Sequence, residues 1–288
     1  MNQSAHQHPN LTIERMKESE VQTAIVWAQK EGWNPGIHDA QCFYQADPNG
    51  FYAAKLAGEI VGTVSVVKYS EDFAFEGLLI VNPAYRGMGV GSTIQRFVAG
   101  IYGNLNLGLD GVLSMQEKYA REGFRFAHKN TRYAGIINDA SSLNRCAPIH
   151  KADFAEVGAF DAEFFPALRN NFLNCWLFQS DATALLVREK ESGTISGYGV
   201  IRKCVVGYKI GPLFAADLNV AHALFCELSA MAKGKTVFLD VPEPNAAAVQ
   251  LAKSYRMEPV FSTVRMYTKK APSLPLNKIY GVTSFELG

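Results

Sequence analysis

The stretch Val81-Asn82-Pro83-Ala84-Tyr85-Arg86-Gly87-Met88-Gly89-Val90-Gly91-Ser92 fixes how the rest of the chain is read. An apolar strand ends at Asn82-Pro83, glycines alternate at 87, 89 and 91, and a helix starts at Ser92. Glycine lets the backbone turn tightly and approach a ligand closely. Successive amides in such a turn converge on an anion, helped by the partial positive charge of a helix N-terminus. Arg86 adds a fixed positive charge. A ligand-free turn would need the glycines but neither the arginine nor the strand and helix around it, so the combination predicts a pyrophosphate cradle. Two other phosphate motifs fail. Counted from Gly87 or Gly89, the last glycine of G-x-G-x-x-G falls on Ser92 or Ile94. Gly234-Lys235-Thr236 resembles the end of a nucleotide-triphosphate loop, but Ser229 stands at its first glycine.

Upstream of the loop, apolar residues at helical spacing over 23–30 stop at Gly32 and Pro35, and a second helix starts near Asp39, carrying Phe43 and Tyr44 inward. The turn Asp47-Pro48-Asn49-Gly50 precedes strands at 51–56, 60–68 and 73–81. Downstream come a helix over 92–99, a strand over 104–109, a helix over 114–122 ended by Gly123-Phe124, and a closing strand over 125–134. The same rhythm then returns: a helix over 151–164, strands at 183–189, 195–203 and 208–214, a helix over 219–232, a strand at 236–241, a helix over 245–254 and a strand at 261–268. A repeat of about 130 residues predicts two related domains. The expected division is a tail over 1–10, a first domain over 11–138, a linker over 139–148 and a second domain over 149–288. The fold class is α/β (α+β), with each half a mixed, mostly antiparallel sheet flanked by helices.

Composition agrees and narrows the function. The 288 residues carry 28 basic and 27 acidic side chains, for a net charge of +1, so no basic stripe points to nucleic acid. No apolar run reaches the roughly 18 residues a membrane span needs, and the polar start lacks a signal-peptide core. Neither a nucleic-acid partner nor a membrane is expected. His6 and His8 read as part of a solvated tail rather than a metal site. Cys42, Cys146, Cys175, Cys204 and Cys226 are odd in number and far apart, which predicts buried free thiols in a reducing cytoplasm, with no zinc site and no disulfide framework.

The loop resembles the acetyl-CoA motif of the GNAT acetyltransferases, Gln/Arg-x-x-Gly-x-Gly/Ala, with Arg86, Gly89 and Gly91 at its defined positions. Val81-Asn82-Pro83 matches the approach to that loop. Tyr119-Ala120-Arg121-Glu122-Gly123-Phe124 resembles the second signature, a tyrosine four residues before Gly-Phe, about 30 residues downstream. The pair in this order is far more specific than either alone. Gly108 to Val112, Arg265-Met266-Tyr267 and the ending Gly281 to Gly288 resemble a bacterial group of tandem GNAT proteins whose second domain has lost the cofactor loop. In the second half Ala215-Ala216-Asp217-Leu218 replaces the loop, Ala252 stands where the tyrosine would be, and Arg256 replaces the glycine.

The resemblance implies acetyl-CoA as co-substrate, without a metal, held by Arg86, Gly87, Met88, Gly89, Val90, Gly91 and Ser92, with backbone groups of Leu79, Ile80 and Val81 along the pantetheine arm. It implies Tyr119 as the donor to the departing sulfur, since a phenol is protonated at neutral pH. Glu76, on the strand before the loop, is the candidate base, with His128 behind it; an exposed strand glutamate is the plain alternative. Gln116 shares a helical face with Tyr119, and Trp33, Asp39 and Phe43 lie where the family walls its amine site, although core packing also explains the aromatics. The expected function is acetyl transfer to a primary amine, of a small molecule in preference to a protein. The rival classes are a non-catalytic acyl-CoA sensor, which would need no Tyr119, and a structural module with two dead sites, which would need no intact loop. The second half is expected to cover the acceptor site or to form a homodimer contact.

Overall fold

The computed structural model describes residues 10–138 and 144–288; His6, His8 and the first half of the expected linker lie outside them. The chain begins with β1 (Leu11–Arg15), α1 (Glu18–Lys30) and α2 (Asp39–Ala46). Three strands follow, β2 (Phe51–Leu56), β3 (Glu59–Lys68) and β4 (Phe73–Val81). Then come α3 (Val90–Tyr102), β5 (Asn106–Val112), α4 (Gln116–Arg121) and β6 (Arg125–Ile136). The second half holds β7 (Ala147–Pro148), α5 (Phe154–Asp161), α6 (Asn170–Phe178), β8 (Ala182–Arg188), β9 (Ile195–Lys203) and β10 (Tyr208–Ala215). It ends with α7 (Leu218–Ala230), β11 (Thr236–Pro242), α8 (Ala246–Ser254), β12 (Glu258–Tyr267) and β13 (Ile279–Gly281). The mixed, mostly antiparallel sheet flanked by helices is the expected class. β1, β7, α6 and β13 had no sequence counterpart, β7 falling at the end of the expected linker.

The strands form one 13-stranded sheet in the order β1-β2-β3-β4-β5-β12-β6-β11-β10-β9-β8-β7, with β13 off this path against β10. This order corrects one expectation. The strand after Gly123-Phe124 was to close the first half, but β6 lies between β12 and β11, while β12 from the second half takes the place beside β5. Alternation along a strand says which face is buried, not which neighbour it pairs with. The exchange is fixed by matched polar pairs. Arg265 on β12 lies opposite Asp110 of β5 and binds it through Nε at 2.8 Å and Nη2 at 2.6 Å. Arg132 on β6 lies opposite Asp240 of β11 and binds it at 2.6 and 2.8 Å. Both pairs are buried. Bidentate geometry is what allows such charges inside a protein.

The face of β4 that carries Leu78 and Ile80 packs into a core shared by the halves, with α1, α2 and α6 around the fully buried Trp176, whose indole donates to the Gly211 carbonyl at 2.9 Å. On the opposite face α3 covers the first half around Val90, Ile94 and Val98, and α7 and α8 cover the second. The shared core also corrects the reading of the cysteines. α2 and α6 pack together and bring Cys42 and Cys175 to a Cα separation of 5.2 Å, where they form a disulfide. A sequence separation of 133 residues hides such a pair from spacing arguments. Cys146, Cys204 and Cys226 are free thiols.

Candidate active site

The two parallel strands of the first half set the site. β4 pairs with β5 only from Phe73 to Glu76, against Asn106 to Leu109. At Leu78 the backbone takes a φ of 47°, and the register between β3 and β4 shifts at the same place. Positive φ is rare for a leucine and marks a local bulge. Past it the strands part, and a cavity of about 690 Å³ opens between Gly77–Val81 and Leu109–Val112. The β5-facing edge of β4 therefore has no strand partner along this wedge.

The glycine loop closes one end. Gly87 and Gly89 have φ of 79° and 83°, values that exclude most side chains. α3 starts at Val90, two residues earlier than the sequence suggested. Among the described residues no amide from Gly87 to Ser92 donates a hydrogen bond; the first to do so is Thr93, to the Gly89 carbonyl at 3.0 Å. A Cβ at Gly91 would meet only Val81 at 3.5 Å and Lys118 Nζ at 3.9 Å, which places the ammonium of Lys118 beside the free amides. Arg86 is half exposed, donates through Nε to the Val81 carbonyl at 3.0 Å and pairs with the Glu31 carboxylate. Six free amides and two cations at one helix start fit a pyrophosphate. Lys118 had escaped the sequence reading because a lysine on a polar helix face carries no local signature.

Glu76 and Tyr119 sit deeper in the wedge. Glu76 is buried on the α3 side of β4; its Oε1 accepts from Gln95 Nε2 at 2.6 Å and its Oε2 has no partner. Burial pushes its carboxyl up to about 7, against the pull of the Gln95 hydrogen bond. The ring of Tyr119 packs directly against Gly111, where a Cβ would come within 2.2 Å of Cε2. Its hydroxyl makes no hydrogen bond among the described residues. Burial, together with the charges of Glu76 and Glu122, pushes the phenol up to about 12.

Trp33, Phe261, Phe285 and Glu286 also line the cavity. Of the candidates read from sequence, Leu79, Ile80, Val81, Arg86, Gly87, Gly89, Val90, Gly91, Ser92, Glu76, Tyr119 and Trp33 are brought together around it. Met88 is exposed and does not line the cavity. Gln116 begins α4 without lining the cavity. Asp39 is buried in a pair with Arg202 at 2.9 Å, and Phe43 stacks on Trp176 with ring centres 6.1 Å apart. His128 lies outside the lining; burial, with nearby Arg265, drives its imidazole down to about 3, so it stays neutral. Among the described residues no cluster of His, Cys, Asp or Glu is placed to hold a metal ion, and no helix is long and apolar enough to cross a membrane.

Comparison with known proteins settles the family. Residues 14–109 match the model described as Acetyltransferase (GNAT) family, and 157–281 match that of an Acetyltransferase (GNAT) domain. The holothin acyltransferase of Pseudoalteromonas sp. (strain SANK 73390) is 30% identical over 284 residues, covering 98% of this chain and 96% of its own. The chain belongs to the GNAT acetyltransferase family. It is an acyltransferase with tandem domains, of a family that uses acetyl-CoA. Solved structures share the whole architecture. A putative acetyltransferase from Pyrococcus horikoshii superposes with a TM-score of 0.84 at 19% identity, over 100% of this chain and 99% of the other. A tandem GNAT protein from the clavulanic acid biosynthesis pathway does so with a TM-score of 0.65 at 12% identity, over 91% and 99%.

Proposed function

We propose that the chain transfers the acetyl group of acetyl-CoA to the primary amine of a small molecule, with residues 11–138 holding the cofactor and residues 149–288 supporting the site. The observation that carries the reading is the single wedge with six free amides at one end and Glu76 with Tyr119 further in. The amides of Gly87–Ser92, with Arg86 and Lys118, would hold the pyrophosphate, and the free edge of β4 from Leu79 to Val81 would run along the pantetheine arm. When bound, acetyl-CoA supplies an activated thioester. A new C–N bond replaces the C–S bond, so the amine must lose a proton and the sulfur gains charge. Glu76, with one oxygen unpartnered and a carboxyl near 7, is suited to take that proton. Tyr119 keeps its own proton. A phenol near 12 is a weaker acid than a thiol near 8.5, so its contribution is a hydrogen bond that stabilises charge on sulfur rather than full transfer.

A small-molecule acceptor is supported by the holothin acyltransferase relative, which matches end to end, and by a cavity with aromatic walls. The test is release of free CoA from acetyl-CoA by the full chain against a panel of primary amines that includes holothin. Amine-dependent release with an N-acetylated product in the mass spectrum is the expected result. Tight acetyl-CoA binding with no release in the presence of any amine would replace this reading with an acyl-CoA sensor.

A further inference from the structure

The segment after β13 crosses from the second half into the first-half site. Val282 donates its amide to the Asp240 carbonyl at 2.8 Å, Thr283 Oγ1 accepts from Arg169 Nη2 at 2.9 Å, and the Leu287 carbonyl accepts from the Tyr69 hydroxyl at 3.0 Å. Between these anchors the backbone presses on Gly77, where a Cβ would fall 2.0 Å from the Glu286 carbonyl oxygen. Neighbouring residues of a strand face opposite sides, so Glu286 stands across β4 from Glu76.

Glu286 is 3% exposed, yet it lines the cavity and makes no hydrogen bond or ion pair among the described residues. The cations around it are engaged elsewhere, except at Arg202 Nη1, which has no partner among the described residues. Arg132 binds Asp240 and the Trp33 carbonyl, Arg202 binds Asp39, and Lys209 donates to the Asn34 carbonyl at 2.9 Å. Its carboxyl oxygens are not sealed in the interior but open onto the cavity, where they are free to meet a ligand. Trp33, Phe261 and Phe285 line the same part of the cavity, with Phe261 and Phe285 ring centres 6.2 Å apart.

We propose that Glu286 accepts a hydrogen bond from the nitrogen of the acceptor amine, and that Trp33, Phe261 and Phe285 hold its body. The acceptor class is then a primary amine on a flat, apolar frame. The assignment rests on the acetyl-transfer reading above and gives the second half a direct part in the site: it supplies the group that recognises the acceptor. Aromatic walls favour flat apolar ligands, and one placed polar group fixes their orientation.

The experiment measures CoA release by the full chain at saturating acetyl-CoA with 2-phenylethylamine, tryptamine, holothin and ethylamine. The wild-type chain is expected to favour a flat amine over ethylamine at least tenfold in kcat/KM. Glu286→Gln should raise the KM for that amine at least tenfold and leave acetyl-CoA affinity, measured by calorimetry, within twofold. Glu286→Asp keeps the carboxylate and should fall between the two, and it decides in the same way if the glutamine variant does not bind acetyl-CoA. Wild-type turnover with an unchanged amine KM in these variants, or a preference for ethylamine, would overturn the assignment alone. A wild-type chain that binds acetyl-CoA but acetylates none of the four amines would overturn the transfer reading, and the assignment with it.

Discussion

Each half of the molecule opens a wedge between two parallel strands, and the two wedges have opposite contents. In the first, β4 and β5 part after Glu76, and the edge of β4 faces a cavity. In the second, β10 and β11 pair over Tyr208 to Ile210 and then part, but β13 fills the gap, with Leu213 opposite Gly281 and Phe214 opposite Ile279. Asn245, at the start of α8, donates to the Ile279 carbonyl at 2.9 Å. The helix starts differ in the same sense. The amides at the start of α3 are free, whereas those of Asn219 and Val220 at the start of α7 are taken by the Asp217 carboxylate at 2.8 and 3.0 Å. The polypeptide therefore puts its own strand and its own carboxylate where the first half leaves an open edge and open donors. Capping and β-pairing satisfy in the second half the backbone groups that the first half leaves open.

The exchanged strands make the contrast one of contents and not of separate domains. β6 and β12 each complete the other half's sheet, so the halves should unfold as one unit. Breaking either buried pair, with Asp110→Ala or Asp240→Ala, should lower stability by about 3–5 kcal/mol, because it strands an arginine in the interior. Urea denaturation followed by tryptophan fluorescence and circular dichroism should give one coincident transition for both variants. Two transitions, with only one shifted, would show that the halves are independent and the exchange is energetically idle.

The wedges should also differ in stoichiometry. Calorimetry is expected to saturate at one acetyl-CoA per chain. Gly89→Asp should weaken binding at least about 100-fold, roughly 2.7 kcal/mol, by placing a carboxylate among the free amides and a side chain at a φ of 83°. Unchanged near-ultraviolet dichroism would establish that the variant is folded. Two equivalents in the wild type, or full binding by the variant, would remove the comparison's basis.

Sequence made the first wedge legible because its parts are local. A strand, a glycine ladder with Arg86 and a helix lie within about twenty residues, and Tyr119 announces itself by its distance from Gly123-Phe124. The loss in the second half was equally visible in Ala215 to Leu218 and Ala252. The structure bears out the alignment: Met257 donates to the Ala252 carbonyl at 3.1 Å as Phe124 does to Tyr119 at 3.0 Å, and Arg256 holds the left-handed position that Gly123 holds. What stayed hidden depends on distant pairing. The neighbours of β6 and β12, the Cys42–Cys175 bond and the seat of Glu286 on Gly77 join residues more than a hundred positions apart. Asp39 and Phe43 were placed at the amine site by family position, yet the partners that hold them in the core, Arg202 and Trp176, come from the other half.

The tyrosine position offers a sharper version of the same contrast. Tyr119→Phe should lower kcat about 100-fold, roughly 2.7 kcal/mol of barrier, with little change in acetyl-CoA affinity. The reverse exchange, Ala252→Tyr, should add neither binding nor turnover, since β13 and Asp217 still occupy that wedge. Full activity in the phenylalanine variant would take Tyr119 out of the chemistry, and a second binding event in Ala252→Tyr would show that the strand is displaceable.

Glu76 gives the smallest effect and the one that depends most on pH. Its carboxyl, ordinarily at 4.5, is held near 7 by burial in the native chain. Between these values the folded protein keeps a proton that the unfolded chain has released, so stability falls as pH rises across this window and levels off above it. Glu76→Gln can still accept from Gln95 but has no charge to bury. The variant should therefore match the wild type near pH 4 and exceed it by about 1–2 kcal/mol at pH 8; the full linkage would be larger, but water in the cavity solvates part of the charge. The corresponding interior of the second half carries no such carboxyl on β10, so the slope should belong to the first wedge alone. Activity ties the two measurements together. A base that must be unprotonated gives a kcat/KM that climbs to a plateau above about pH 7, and this limb should vanish in Glu76→Gln. If urea midpoints of the two proteins run parallel from pH 4 to pH 8 while the activity limb persists in the variant, the proton acceptor is some group other than Glu76.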